Sequence, residues 1–253
     1  MPVFTTPAVL LRRLDYGDFD LILTLLSLHQ GKISLIAKSA KKSTKRFAGT
    51  LELFSLIEVV ASTGRGRGLA VLQEATLIDP FSTIRNDISK TAYASYWCEL
   101  INNWVEENQK EVRLFYLLKH ALNQLDSGES TAAQISILFQ MKLLHHTGHG
   151  PNLEHCGRCR KSLEIIPSSQ VVFDVAKGAI LCDGCTPGGG RLRLSKGTLK
   201  QLIWIQSGDL KKASRIRFGT QATKEGLEFL ETFVPYALGV QLQSLKFLRQ
   251  IRE

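Results

Sequence analysis

No apolar run in the 253 residues reaches the roughly 18 that a membrane-spanning helix needs; Leu21 to Leu28 comes closest. The start, Met1-Pro2-Val3-Phe4-Thr5-Thr6, lacks the basic and apolar blocks of a signal peptide. The expectation is a soluble, intracellular protein with no membrane partner. Prolines number only 7 and hydrophobic residues make up 44% of the chain, which excludes a collagen and a disordered polymer and supplies a sizeable core. Catalytic signatures are missing too. There is no GxxxxGK[ST] phosphate loop, GxSxG elbow, strand-linked GxGxxG or HExxH, and the acidic residues form no DxD-like cluster for two-metal chemistry. With no nucleophile or general base nominated, the chain is expected not to be an enzyme.

What is present is positive charge, unevenly placed. Lys and Arg outnumber Asp and Glu by 32 to 23. Residues 1–80 carry 10 basic and 7 acidic side chains (+3), 81–150 carry 6 and 7 (−1), 151–190 carry 4 and 4, and 191–253 carry 12 and 5 (+7). Basic ends around a neutral middle point to a polyanion, nucleic acid before membrane, with ordinary solvation as the competing account.

Residues 1–79 read as short strands bounded by turn chemistry: Ala8 to Arg13, Phe19 to Leu28, Lys32 to Lys38, Leu51 to Ala61 and Leu69 to Ala75. Five such strands suit a closed barrel of the OB kind. From Pro80 the period becomes helical: Ile88 to Val105, Leu114 to Leu125, and Ile135 to Leu143 capped by Ser130 or Thr131. Helical spacing returns at Thr198 to Gln206 and Thr223 to Val234. Pro235 is expected to break the chain before a last helix carrying Leu238, Leu242, Leu245 and Leu248. Between these lies a stretch with two short β-like runs, Val171 to Val175 and Ala179 to Leu181, ending at Gly188-Gly189-Gly190. The fold class is α+β: an N-terminal OB barrel (1–79), a helical domain (80–150 and 191–253) and an inserted four-cysteine module (151–190).

That module holds the most specific motif. Cys156-Gly157-Arg158-Cys159 and Cys182-Asp183-Gly184-Cys185 are CxxC pairs 22 residues apart. Two such knuckles place four thiolates about one Zn²⁺, and four protein ligands close the shell, so the metal is structural. A redox role for the pairs is the competitor, though neither opens a thioredoxin-like unit. Cys98, alone in an apolar stretch, reads as a buried thiol. His145, His146 and His149 read as polar residues at a helix end.

A second motif is the basic run Lys38, Lys41, Lys42, Lys45 and Arg46, with Phe47 beside it. A loop of this kind between barrel strands tracks phosphates, and Phe47 is placed to stack a base; a solvated loop is the alternative. Arg12 and Arg13 are further candidates for strand contact. Gly64-Arg65-Gly66-Arg67-Gly68 reads as a glycine hairpin, and Lys211-Lys212-Ala213-Ser214-Arg215-Ile216-Arg217 as a second phosphate-contacting stretch.

Taken in order, these segments resemble the bacterial recombination-mediator family RecO. The resemblance spans nearly the whole chain. It is carried by Val9-Leu10-Leu11-Arg12-Arg13, Tyr16-Gly17-Asp18-Phe19-Asp20, Gly31-Lys32, Ala37-Lys38 and Leu51-Glu52-Leu53-Phe54-Ser55. It continues through Phe139-Gln140-Met141-Lys142-Leu143-Leu144 to Gly148, Pro151, Leu153, the first CxxC and the closing Leu245-Lys246-Phe247-Leu248. Asp18 replaces the family's usual Glu, and Gly148-His149-Gly150 stands where an aromatic residue often follows the glycine. The resemblance implies binding of single- and double-stranded DNA, strand annealing, engagement of the C-terminal tail of the single-strand-binding protein SSB, and cooperation with RecR in loading RecA. The sequence names no residues for the SSB or RecR contacts. It also implies a cytoplasmic protein, nucleoid-associated when bound to DNA. Zinc-free members exist, in keeping with a structural metal. The alternative classes are a zinc-ribbon RNA-binding transcription or translation factor and a zinc-containing nuclease.

Overall fold

The computed structural model describes residues 2–43, 46–63, 68–186 and 192–252. Five strands come first: β1 (Val3–Tyr16), β2 (Asp20–Ser27), β3 (Gly31–Ala37), β4 (Leu56–Ser62) and β5 (Ala70–Asp79). They close into a barrel in the order β1-β2-β3-β5-β4, antiparallel except where β3 meets β5. This is the OB-like arrangement. β1 is longer than its sequence pattern because it serves two neighbours: Val3–Val9 pair with β4, and Ala8–Tyr16 pair with β2. A bulge between Leu10 and Arg12 bends it from one partner to the other, as closure requires. Alternation then sends Ala8, Leu10, Leu23, Leu25, Leu35 and Val59 into the interior, and Phe47 and Leu51 plug it.

The strand read from Leu51 begins only at Leu56. Phe54 sits at φ 73° and makes Leu51–Ser55 a turn, pinned to β1 by Phe54 N–H to Leu10 O (2.9 Å) and Leu10 N–H to Ser55 O (3.1 Å).

Helices follow as α1 (Ser82–Arg85), α2 (Ile88–Trp104), α3 (Val112–Ser127) and α4 (Ala132–His146), the last capped by the Thr131 hydroxyl on Gln134 N–H. Next come β6 (Gln170–Asp174), β7 (Ala179–Leu181) and β8 (Arg193–Ser195), a small sheet in the order β7-β6-β8. The chain ends with α5 (Lys196–Ser207), α6 (Leu210–Ala213), α7 (Thr220–Leu238) and α8 (Gln243–Arg252). Gly188, Gly189 and Gly190 lie outside the described residues.

Pro235 does not break the chain: α7 runs through it to Leu238. Only the last turn lacks the donor that proline removes, and burial of Phe229, Leu230, Phe233 and Val234 holds the helix. The helix stops at Gly239, whose φ of 71° suits a glycine. Leu238 therefore belongs to α7, and α8 starts later than the leucine spacing implies.

The chain packs as two compact units, residues 1–128 with 242–253, and 129–241. In the first, α2 packs on β1 and on α8. The Glu99 carboxylate of α2 accepts the N–H groups of Gln243 (3.1 Å) and Ser244 (2.9 Å), capping α8 from a helix 144 residues away. In the second unit, Ile135 to Leu144 of α4 are buried without a break, so α4 is a central helix rather than a one-faced one. Its buried Lys142 donates to the carbonyls of Gln206 (3.3 Å) and Gly208 at the end of α5. Among the described residues, no helix is long and apolar enough to cross a membrane.

Candidate metal centre and nucleic-acid interface

The two CxxC knuckles are brought together by β6 and β7. Cys156 N–H donates to Lys161 O (2.9 Å), and Arg160 N–H returns to Cys156 O (3.0 Å) with Arg160 at φ 63°. The second knuckle is a tight turn in which Cys185 and Thr186 N–H both reach Cys182 O. Gly157 works by absence of bulk: a Cβ there would lie 2.7 Å from that of Ala179, while Gly157 N–H donates to Ile180 O (2.8 Å). The knuckle is thereby held flat against β7.

The four Sγ atoms of Cys156, Cys159, Cys182 and Cys185 lie within 4.8 Å of one another, the only such group of ligand atoms among the described residues. Cys159 and Cys182 Sγ are 3.6 Å apart. A tetrahedron with metal–sulfur bonds of about 2.3 Å has edges of about 3.8 Å, so the quartet has the dimensions and donors of an S₄ metal site. The thiols respond unequally to this crowding. Burial opposes ionisation of Cys156, but backbone N–H groups of Cys159, Cys182 and Arg158 overcome it and bring that thiol down to about 6. Cys185 is pushed up to about 12, first by its hydrogen bond with Cys182 and then by burial. A divalent cation is what lets all four ionise together. Cys98, by contrast, is buried on α2 and raised to about 12 by burial alone, an inert thiol.

On the barrel, the basic run is not a free loop. β1 and β2 meet in a hairpin that closes at Tyr16 opposite Asp20, and a 3-10 turn (Ala40–Lys42) docks against its tip. Lys41 N–H donates to Phe19 O (3.0 Å), and Ser39 N–H to the Asp20 carboxylate (2.7 Å). Several of the expected cations are engaged. Lys41 pairs with Asp15 at 3.0 Å, Arg13 with Glu52 at 3.2 Å, and Arg46 lies over the Phe47 ring. The Lys42 ammonium sits 3.3 Å from the centre of the Phe19 ring. Arg12 and Lys38 are exposed and have no polar partner among the described residues. Lys45, like Arg65 and Arg67, lies outside the described residues.

Phe47 cannot stack a base: it is 4% exposed and packs in the barrel interior. Asp15 and Glu52, which the sequence reading passed over, set the local charge balance. Together with Arg13, Lys41 and Phe47 they line a cavity of about 380 Å³ at the barrel mouth. Strand alternation from Ala8 and Leu10 puts Asp15 on the outward face; the bulge after Leu10 reverses this and brings Asp15 opposite inward-facing Leu21, so the sequence carried no signal for its partnership.

With the geometry in place, comparison with known proteins is direct. The family profile described as "Recombination protein O N terminal" matches residues 1–81, and "Recombination protein O C terminal" matches residues 85–246. The chain belongs to the RecO family. The protein named "DNA repair protein RecO" in Desulfosudis oleivorans is 42% identical over all of this chain and 99% of its own length. The one of that name in Desulfatibacillum aliphaticivorans is also 42% identical, over all of this chain and 98% of its own. A third, in Anaeromyxobacter sp. strain K, is 35% identical over 96% and 94%. The two RecO profiles meet just after β5 ends at Asp79, so the RecO N-terminal segment coincides with the closed barrel.

Proposed function

We propose that this RecO-family protein is a DNA repair and recombination mediator of the RecF pathway. In this reading it binds single- and double-stranded DNA, anneals complementary strands, engages the SSB tail and, with RecR, promotes RecA loading on SSB-coated DNA. The observation that carries the proposal is full-length membership of a family whose relatives are named DNA repair proteins, on a chain whose barrel presents cations around one hairpin. Arg12, Lys38 and Lys42 make the first phosphate contacts. Lys41, Arg13 and Arg46 join by exchanging their internal partners, and Lys45 adds to the run. Phosphate neutralisation releases counterions and lowers the repulsion between two strands, so pairing free energy drives annealing with no ATP and no catalytic step.

The metal is one Zn²⁺, held by Cys156, Cys159, Cys182 and Cys185. The four thiolates would close its coordination shell, and the metal when bound would supply folding energy to the knuckles. The site is cytoplasmic, and nucleoid-associated when DNA is bound.

The test is annealing of complementary oligonucleotides pre-coated with cognate SSB, without ATP, at two salt concentrations. Faster annealing that weakens as salt rises is expected. No acceleration by folded, metal-loaded protein overturns the proposal.

A further inference from the structure

The four cysteines of the metal centre share one cluster but not one environment. Cys156 is fully buried, Cys182 is 7% exposed and Cys185 is half-buried, whereas Cys159 is exposed. Hydrogen bonding widens the difference. Cys156 Sγ accepts the N–H groups of Cys182 (3.5 Å), Cys159 and Arg158, and each such bond draws electron density from the sulfur. The contact of Cys159 Sγ is instead with a second sulfur, that of Cys182, at 3.6 Å.

Charge also separates the two knuckles. Residues 157–161 hold Arg158, Arg160 and Lys161 and no acid, and all three cations are exposed with no ion-pair partner among the described residues. Residues 182–186 hold Asp183 and no cation. An exposed sulfur among cations is the setting in which a cysteine reacts, because positive charge favours the thiolate and stabilises an anionic leaving group. Cys98, buried on α2, has neither feature. The chain around Cys159 also depends on the quartet. Within residues 154–166, Leu163 and Ile166 are the large aliphatic side chains that are buried, so little else holds the segment closed.

We propose that Cys159 is an oxidation site for hydroperoxides, and that its oxidation releases the metal through a Cys159–Cys182 disulfide. The inference rests on the zinc reading above. The Cys159 thiolate attacks one oxygen of hydrogen peroxide: an S–O bond forms and the O–O bond breaks. The departing hydroxide, stabilised by Arg158 and Arg160, takes a proton from solvent and becomes water. The sulfur has lost two electrons and stands as a sulfenic acid. The Cys182 thiolate then attacks that sulfur, the S–S bond forms, the S–O bond breaks, and the second hydroxide takes a solvent proton. Two thiolates, one peroxide and two protons thus give one disulfide and two waters. Cys156 and Cys185 do not close a coordination shell by themselves, so the metal leaves and residues 154–166 open. A dithiol returns two electrons to the disulfide and makes all four sulfurs available again.

The test treats the full zinc-loaded chain with hydrogen peroxide beside a chromophoric zinc indicator. One zinc should appear for each two thiols lost. The thiol count of the denatured chain should fall from its five cysteines by two, with Cys98 still reduced. Peptide mass mapping should find Cys159 joined to Cys182, and dimedone added with the peroxide should form its first adduct on Cys159. The Arg158→Gln/Arg160→Gln double variant keeps all four ligands and should release zinc about three- to tenfold more slowly. Dithiothreitol and zinc together should restore the thiols and the protection of 154–166 against hydrogen exchange. A first adduct on another cysteine, a disulfide that omits Cys159, or zinc retained under peroxide overturns the inference. An unchanged rate in the arginine variant overturns the part given to those two side chains. Protein that holds no zinc before peroxide is added overturns the zinc reading itself, so the two failures are distinct.

Discussion

Stripping the metal from the cysteine quartet should open residues 154–166 while leaving the β6–β7 pair and the barrel in place. The magnitude follows from how little this segment buries. Of its 13 residues, Leu163 and Ile166 are the large aliphatic side chains that are nearly fully buried, while Ile165 is exposed. Two such side chains contribute about 3–6 kcal/mol. Loop hydrogen bonds such as Cys156 N–H to Lys161 O add about 1 kcal/mol each. Ordering 13 residues costs about 13–26 kcal/mol in backbone entropy. That cost is larger than what two buried side chains return, and a structural metal, on the order of 10 kcal/mol, would help cover the difference. The strands are anchored differently: Phe173 of β6 packs edge-on against Phe229 and Phe233 of α7, with ring centroids at 4.7 and 5.2 Å. Hydrogen exchange read by mass spectrometry, before and after chelation with elemental analysis of zinc, separates the two regions. Exchange in 154–166 should accelerate at least about a hundredfold, equivalent to about 2.7 kcal/mol, with little change in 170–174. Unchanged protection in 154–166 in protein shown to be metal-free would refute the reasoning.

Three further outcomes are expected. The Glu225 carboxyl is held below the usual carboxylate range: burial pushes it up, but the Thr198 hydroxyl, the Gln221 amide and Ser195 N–H overcome that. A depressed folded value means its stabilisation is full above the unfolded carboxylate range, about 4.3, and is lost as pH falls through the folded value. Glu225→Gln should therefore cost about 1.5–3 kcal/mol at pH 7 in urea melts and make the acid limb of stability shallower. Glu99→Ala removes the remote cap of α8 and should cost about 1–2 kcal/mol, read as faster amide exchange confined to 243–252 and the α2 surface beneath it. Asp15→Asn releases Lys41 from its ion pair and should raise DNA affinity severalfold at low salt, an effect that disappears at high salt; a fall in affinity would show that Asp15 positions Lys41 for contact.

The features that rest on neighbours in the chain were legible before any coordinates. Alternation and turn residues mark five barrel strands because inward and outward positions differ by one residue in the chain. CxxC spacing marks the quartet because a knuckle is a local turn. Ser130 or Thr131 marks the start of α4 because a cap reaches only three residues, and Thr131 is the one that caps it. The remainder depends on groups brought together from far apart, which no local pattern encodes. Phe47 sits next to the basic run in sequence yet closes the barrel interior, since a ring of that size stabilises more in the core than at the surface. Lys41 and Arg13 are partly neutralised by Asp15 and Glu52, which reach them only once the hairpin and the loop fold onto each other. Pro235 remains helical because α7 is already held by its buried aromatics, so tertiary packing overrides a local breaker. The last helix joins the N-terminal unit through Glu99, across 144 residues of sequence. Sequence alone determined the barrel strands, the long helices and the cysteine quartet, though not every short element or boundary; the tertiary structure decided which charges stay free and which aromatic rings reach solvent, because both depend on partners that only folding brings within a few ångströms.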